Sequence, residues 1–292
     1  MEIAAAFESH TWFFVGTVLL LGLMVGSFLN VVIHRLPKMM EREWRAQCEE
    51  FLFPDKPPSE EVAPSYNLVV PRSACPGCGR RIGALENVPI LSYLVLRGRC
   101  KGCGIRISPR YPLVEALTGA LSVAVASQFG VSAVAFFALL LVWTLVALAF
   151  IDADTTLLPD DITLPLLWLG LLVNAFGVFT TLHAAVIGAA AGYLILWLVF
   201  WGFKLLTGKD GMGYGDFKLL AALGAWLGWQ MLPVIILLSA AVGALVGIAG
   251  IIFLGREKGA KLPFGPYLAA AGFIALLWGK ALTTWYLGRM PG

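Results

Sequence analysis

Apolar residues in this chain do not recur at a helical or strand period. They run on in blocks of roughly 20 residues with short polar breaks between them, the pattern of helices immersed in lipid. Eight such blocks are expected to span a membrane, at about 11–33, 112–129, 131–151, 162–180, 182–206, 217–230, 232–254 and 264–287. The 217–230 block is short and rich in Gly and Trp, so its ends are the least defined. A membrane barrel would alternate apolar and polar positions over about ten residues, and these blocks do not. One break is long: from Arg35 to Arg110 the composition shifts to charged residues, Pro and Gly. The expected organisation is a first transmembrane helix at 1–34, a soluble domain at 35–111 and a seven-helix membrane domain at 112–292.

Within the soluble domain, Met39 to Phe53 mixes Glu and Arg with Trp44, Phe51 and Phe53, and is expected to lie as an amphipathic helix against the membrane. Pro54 to Pro64 reads as a linker. No fixed-period repeat and no low-complexity tract stands out. In the first span, Gly22, Gly26 and Ser27 are small enough to let a neighbouring helix approach closely. Asn30 and His34 share a face of that span and read as satisfied polar groups. Glu115, inside the start of span two, suits a structural hydrogen bond or a site equally.

Composition narrows the class. Of 292 residues, 59% are hydrophobic and only 13% charged, which excludes an ordinary soluble domain. Charge then gives orientation. Thirteen of the 21 Lys and Arg lie between Arg35 and Arg110, and six more (Lys204, Lys209, Lys218, Arg256, Lys258, Lys261) follow spans five and seven. Only Lys280 and Arg289 fall on the other side, so the positive-inside rule makes the soluble domain cytoplasmic and both termini external. Glu2, Glu8 and His10 precede the first span without any Lys or Arg, which suits a retained anchor and not a cleaved signal peptide. Glu257 sits in the basic stretch Arg256 to Lys261, which reads as a solvated cytoplasmic turn.

The soluble domain carries Cys75-Pro-Gly-Cys78-Gly and Cys100-Lys-Gly-Cys103-Gly. Two Cys-x-x-Cys pairs at this separation are a strong zinc signature, and a reducing compartment disfavours disulfides. Four protein ligands leave no open position, so the metal is structural and stabilises a domain with little apolar content. Cys48 stands apart as a spare thiol.

Carboxylates gather at the lips of two spans. One group is the stretch Ile151-Asp-Ala-Asp-Thr-Thr-Leu-Leu-Pro-Asp-Asp161; the other is Gly211-Met-Gly-Tyr-Gly-Asp-Phe-Lys218, preceded by Asp210. The glycines there would admit an extended peptide. Asp160 and Asp161 precede span four and read as N-caps, and Asp210 as a turn residue. Asp152 and Asp154 are two apart and point to different sides of a helix. Asp152, nearer the membrane, is the better placed to meet Asp216. Two carboxylates a few ångströms apart share a proton, giving one base to activate water and one acid to polarise a carbonyl, as in an aspartic protease. Helix-end dipoles assign the anion to Asp216 and the proton to Asp152. Pro263-Phe-Gly-Pro-Tyr267 re-enters the membrane as a helical first turn or an extended entry lining the site. Rival readings are a proton-coupled transporter, whose carboxylates should lie near the bilayer midplane, and a structural zinc-bearing subunit of a secretion machine.

Taken in order, Gly26-Ser-Phe-Leu-Asn-Val-Val-Ile-His-Arg-Leu-Pro37, the double Cys-x-x-Cys, Ile151-Asp with Leu-Pro-Asp160, Gly213-Tyr-Gly-Asp216 and Pro263-Phe-Gly-Pro266 resemble the bacterial type IV prepilin peptidases, intramembrane aspartic proteases with a Gly-x-Gly-Asp motif. The resemblance covers nearly the whole chain. It implies an inner-membrane enzyme that removes the short basic leader of type IV prepilins and type II secretion pseudopilins, cutting after a glycine. It further implies methylation of the new N-terminal amine, usually of Phe, by S-adenosylmethionine, with Asp152 and Asp216 as the catalytic pair. No glycine-rich nucleotide fingerprint marks a site for the methyl donor; the soluble domain and adjoining ends of spans one and two are its expected location. Protein substrates and membrane lipid are the implied partners, with no nucleic acid.

Overall fold

The computed structural model describes residues 11–54, 66–255 and 262–287. The expected linker beyond Pro54, the basic turn Arg256 to Lys261 and the ten-residue N-terminal tail lie outside the described residues. Among the described residues the regular structure is helical, apart from two isolated bridges. The chain forms two compact units, Met1–Ala124 and Val125–Gly292.

The first unit is built on α1 (Thr11–Leu52) and the greater part of α3 (Arg110–Phe129), with a short helix α2 (Leu91–Val95) in the soluble segment between them. With 42 residues, α1 is about 63 Å long, roughly twice the hydrocarbon thickness of a bilayer. The membrane span and the stretch from Met39 onward are thus one helix, which Pro37 does not interrupt, and not a span followed by a separate surface helix. Just beyond the apolar part, Arg35 is buried and donates to the carbonyls of Asn67 (2.9 Å) and Pro71 (2.6 Å). The Tyr66 ring lies beneath Arg35 and Arg42. These contacts fasten the soluble segment to α1.

Small residues let α1 and α3 touch. Gly26 packs against Glu115 and Thr118, and a Cβ there would fall 2.7 Å from the Glu115 Cα. Gly22 likewise faces Ser122 and Gly119. Asn30 donates to the Tyr111 carbonyl and the His34 ring meets Lys38 Nζ, so both polar groups are satisfied. Glu115 is buried, and its Oε2 accepts the Ile90 N–H at 2.7 Å. Ile90 holds a left-handed φ of 58°, unusual for a β-branched residue. The carboxylate thus anchors a strained turn, which gives Glu115 a structural role.

The second unit contains α4 (Ala133–Thr155), α5 (Asp160–Ala175), α6 (Leu182–Thr207), α7 (Tyr214–Leu227), α8 (Leu232–Leu254) and α9 (Gly265–Leu287). With α1 and α3 these are the eight expected spans. Among the described residues, six helices are long and apolar enough to cross a membrane by length and composition; α5 and α7 are the exceptions. At 16 and 14 residues they measure about 24 and 21 Å, short of the roughly 30 Å of hydrocarbon. For α7 the shortfall has a reason: ten of its residues, among them Phe217 through Trp226 with one exception, are buried, so it is sheathed by protein.

The sheath is tight because α6 carries Gly188-Ala-Ala-Ala-Gly192. Gly188 meets the carbonyl of Gly224 in α7, and a Cβ on Gly192 would stand 2.6 Å from the Leu220 carbonyl oxygen. A small-x-x-x-small face allows such backbone contact where lipid supplies no hydrophobic drive between helices. Trp226, fully buried, donates Nε1–H to the Leu166 carbonyl of α5 at 2.8 Å. Asn174 in α5 donates Nδ2–H to the carbonyls of Ala225 and Trp226, two of the last α7 carbonyls, which have no partner within the helix. Its Oδ1 accepts the N–H groups of Phe179 and Thr180. At the other end Lys218 in α7 pairs with Asp160 in α5 at 2.6 Å. The helix that carries Asp216 is held at both ends.

Candidate functional site

Asp152 lies in the last turn of α4, which closes at Thr156 in a left-handed conformation with its N–H on the Asp152 carbonyl. The helix turns its buried side inward there, so Asp152 is 4% exposed while Asp154, two residues on, is exposed. Asp216 is the third residue of α7 and is 6% exposed. Gly213 is the N-cap, and its N–H reaches the Asp216 carboxylate at 3.3 Å. The two carboxylates line one cavity of about 150 Å³ together with Thr156, Leu158, Asp210, Met212 and Phe264. One wall is acidic and carries the glycines of 211–215; the other, from Leu158 and residues 262–264, is apolar. A buried pair of carboxylates beside such a wall can bind, polarise and hydrolyse a peptide bond.

The remaining acids differ from expectation. The N-cap of α5 is Pro159, and Asp160 and Asp161 are its first two residues, so neither caps by side chain. They still complement the helix dipole, and Asp160 is used by Lys218. Asp210 does sit in the turn after α6, but it also lines the cavity and pairs with Lys204 at 3.0 Å. Residues 262–264 run non-helically along the cavity before α9 begins at Gly265, so both readings of Pro263-Phe-Gly-Pro266 hold in part. Gly265 donates its N–H to Asp152 Oδ2 at 2.8 Å. The sequence reading missed that contact; the motif's position at the lip of a span was the available signal.

In the first unit the four cysteine sulfurs of Cys75, Cys78, Cys100 and Cys103 lie within 4.8 Å of one another. The Cys75 and Cys103 sulfurs are 3.7 Å apart. Thiolates on a tetrahedral ion with Zn–S of about 2.3 Å stand about 3.8 Å apart, so the donor set fits zinc; a disulfide would need about 2.05 Å. The knuckles are duplicates offset by 25 residues, an internal repeat carried by Cys-x-Gly-Cys-Gly-x-Arg-Ile at both 75–82 and 100–107, where no repeat was expected. Cys75 and Cys100 donate to Arg80 and Ile105, Gly79 and Gly104 donate back to Cys75 and Cys100, and both glycines take a left-handed φ. Gly77 faces Ile105 while Gly102 faces Arg80, so the two turns pack as pseudo-two-fold mates. The N–H groups of Cys103 and Gly102 hold the Cys100 thiol down to about 6, which favours the thiolate a metal needs. Arg80 is gripped by Glu86 at 2.5 and 2.6 Å, and this holds the Glu86 carboxyl below its usual range.

Fold and site together define a polytopic helical membrane protein with a buried aspartate pair in a cavity at helix ends, the construction of a membrane-embedded aspartic hydrolase. The chain belongs to the type IV leader peptidase family. Residues 20–129 match the model of the bacterial peptidase A24 N-terminal domain, and residues 139–248 match that of the type IV leader peptidase family. It is 61% identical to a prepilin leader peptidase/N-methyltransferase of Aeromonas hydrophila over 276 residues, 94% of each chain. A protein of the same name from Pseudomonas aeruginosa is 57% identical over 98% of each chain. One from Burkholderia pseudomallei is 53% identical over 92% of this chain and 86% of its own. No solved structure matches significantly.

Proposed function

We propose that this chain cuts the leader from type IV prepilins and type II pseudopilins at the cytoplasmic face of the bacterial inner membrane, then methylates the new N-terminal residue, usually Phe, with S-adenosylmethionine. The observation that carries the reading is the cavity lined jointly by Asp152 and Asp216, both buried and both beside glycine-rich backbone. Family membership and nearly full-length relatives of that name support it. Nineteen Lys and Arg on one side support a cytoplasmic soluble domain and external termini.

In the peptidase step one carboxylate takes a proton from water as the water oxygen bonds to the scissile carbonyl carbon, and the other gives its proton to the carbonyl oxygen. The gem-diol then collapses. The first carboxyl returns its proton to the leaving amine as the C–N bond breaks, and a gem-diol hydroxyl re-protonates the second, so the dyad ends as it began. Cys75, Cys78, Cys100 and Cys103 would hold one zinc ion, which cross-links the soluble domain when bound. The methyl donor is assigned to the soluble domain and the adjoining ends of spans one and two, apart from the dyad cavity. A proton-coupled transporter gains no support: the pair lies in a last and a first helical turn, not at mid-span, and the family is a peptidase family.

The test is mass spectrometry of a prepilin incubated with the purified protein, with and without S-adenosylmethionine. Wild type is expected to remove the leader and add one methyl group. Asp152→Asn and Asp216→Asn should each abolish cleavage yet still methylate a pre-cut pilin. A folded wild type that cuts none of several prepilins would refute the reading.

A further inference from the structure

The two cavity aspartates are not held alike. Asp152 Oδ2 accepts the Gly265 N–H at 2.8 Å in a buried setting, whereas Asp216 Oδ2 accepts the Gly213 N–H, from its own first turn, at 3.3 Å. Gly265 is the first residue of α9, and the first N–H groups of a helix have no partner inside it. That donor is therefore available to a carboxylate 113 residues away in sequence. The fit is also steric: a Cβ at position 265 would stand 2.7 Å from Asp152 Oδ2 and 3.1 Å from its Cβ and Cγ. Any residue but glycine must displace the carboxylate or the start of α9. Residues 262–264, immediately before it, form part of the cavity wall.

We propose that the backbone N–H of Gly265 is the positioning group of the dyad: it fixes Asp152 Oδ2 at the N-terminus of α9, leaves Oδ1 for the attacking water, and makes Asp152 the base and Asp216 the partner that carries the shared proton. A short N–H bond to a buried carboxylate favours its charged form, and the positive end of α9 adds to the effect. The longer Gly213 bond does less for Asp216. This order is the reverse of the one obtained from the ends of the helices that carry the two residues. The inference deepens the peptidase reading and rests on it.

The test removes the N–H without adding a side chain. Glycolic acid introduced at position 265 of the full chain by nonsense suppression turns that amide into an ester. With a prepilin substrate, kcat is expected to fall about 10- to 100-fold, the scale of losing a hydrogen-bond partner that orients a functional side chain. KM should stay within twofold and the unfolding midpoint should fall only slightly, because the ester carbonyl of Phe264 remains an acceptor, though a weaker one, for the Tyr267 and Leu268 N–H groups of α9. Gly265→Ala keeps the N–H and adds the Cβ, and should lower kcat as well. A prepilin peptide with a hydroxymethylene in place of the scissile amide probes the assignment. It should bind Asp216→Asn within about tenfold of wild type, because Asn mimics a neutral acid, and Asp152→Asn far more weakly. An ester variant with kcat within twofold of wild type overturns the proposal, and so does analogue binding to Asp152→Asn that equals or exceeds that to Asp216→Asn. A wild type that cleaves no prepilin would remove the peptidase reading instead, so the two failures are told apart.

Discussion

Asn174→Leu isolates what holds the helix of Asp216 in register. Asn174 is 1% exposed, and leucine keeps its branched outline while replacing the amide with two larger methyl groups, so four hydrogen bonds are lost and some overpacking is added. Hydrogen bonds inside helical membrane proteins average about 0.6 kcal/mol, giving about 2.5 kcal/mol for the four. Two α7 carbonyls and two loop N–H groups would then lie buried without partners, and that desolvation raises the expected loss to about 3 kcal/mol. The assay is equilibrium unfolding in mixed micelles, followed by helical circular dichroism against denaturing detergent, with cleavage of a prepilin measured in parallel. Because Lys218–Asp160 still holds the near end of α7, kcat should drop several-fold without vanishing. A loss below about 0.5 kcal/mol, or unchanged cleavage despite the expected loss, would show that α7 is held by the packing of Trp226 and the Gly188 contact alone.

Two further outcomes follow from the same geometry. Gly188→Leu forces a side chain into the Gly224 carbonyl and should cost at least about 3 kcal/mol, read as a failure to purify folded protein or as a collapse of the melting midpoint. Purified protein should carry one zinc per chain by elemental analysis. Chelation or Cys75→Ser should open amide exchange across residues 66–107 and leave α4–α9 protected.

What could be read from the chain divides along a physical line. Apolar block length located the eight helices, because the bilayer sets the length of a span directly; six of them, among the described residues, are long and apolar enough to cross by that measure. Cys-x-x-Cys spacing carried the metal site for the same local reason: each knuckle closes within a few residues. The repeat at an offset of 25 residues is written in residue identity, Cys-x-Gly-Cys-Gly-x-Arg-Ile at both knuckles, but a single eight-residue duplication is too short to stand out as a fixed period, and the matching bonds Cys75 to Arg80 and Cys100 to Ile105 make it plain. Asp160 and Asp161 looked like caps because Asp favours that position, but Pro159, whose fixed φ suits a helix start, took it and moved both into the first turn. The continuity of α1 was missed because charge signals exit from the membrane, and exit from the membrane is not the end of a helix.

The dyad shows most sharply where local reasoning stops. A dipole argument from sequence can use only the helix a residue belongs to, and Asp152 ends α4, where an anion is disfavoured. Its carboxylate, however, points across to the first N–H of α9, so the field it feels is that of a helix N-terminus supplied from elsewhere in the chain. Asp216 lies at an N-terminus of its own but accepts a longer bond from it. The sign of the asymmetry between the two carboxylates is therefore a tertiary property. It is set by where the Pro263-Phe-Gly-Pro266 entry docks, and glycine at 265 is required because no side chain fits between α9 and the carboxylate that α9 holds.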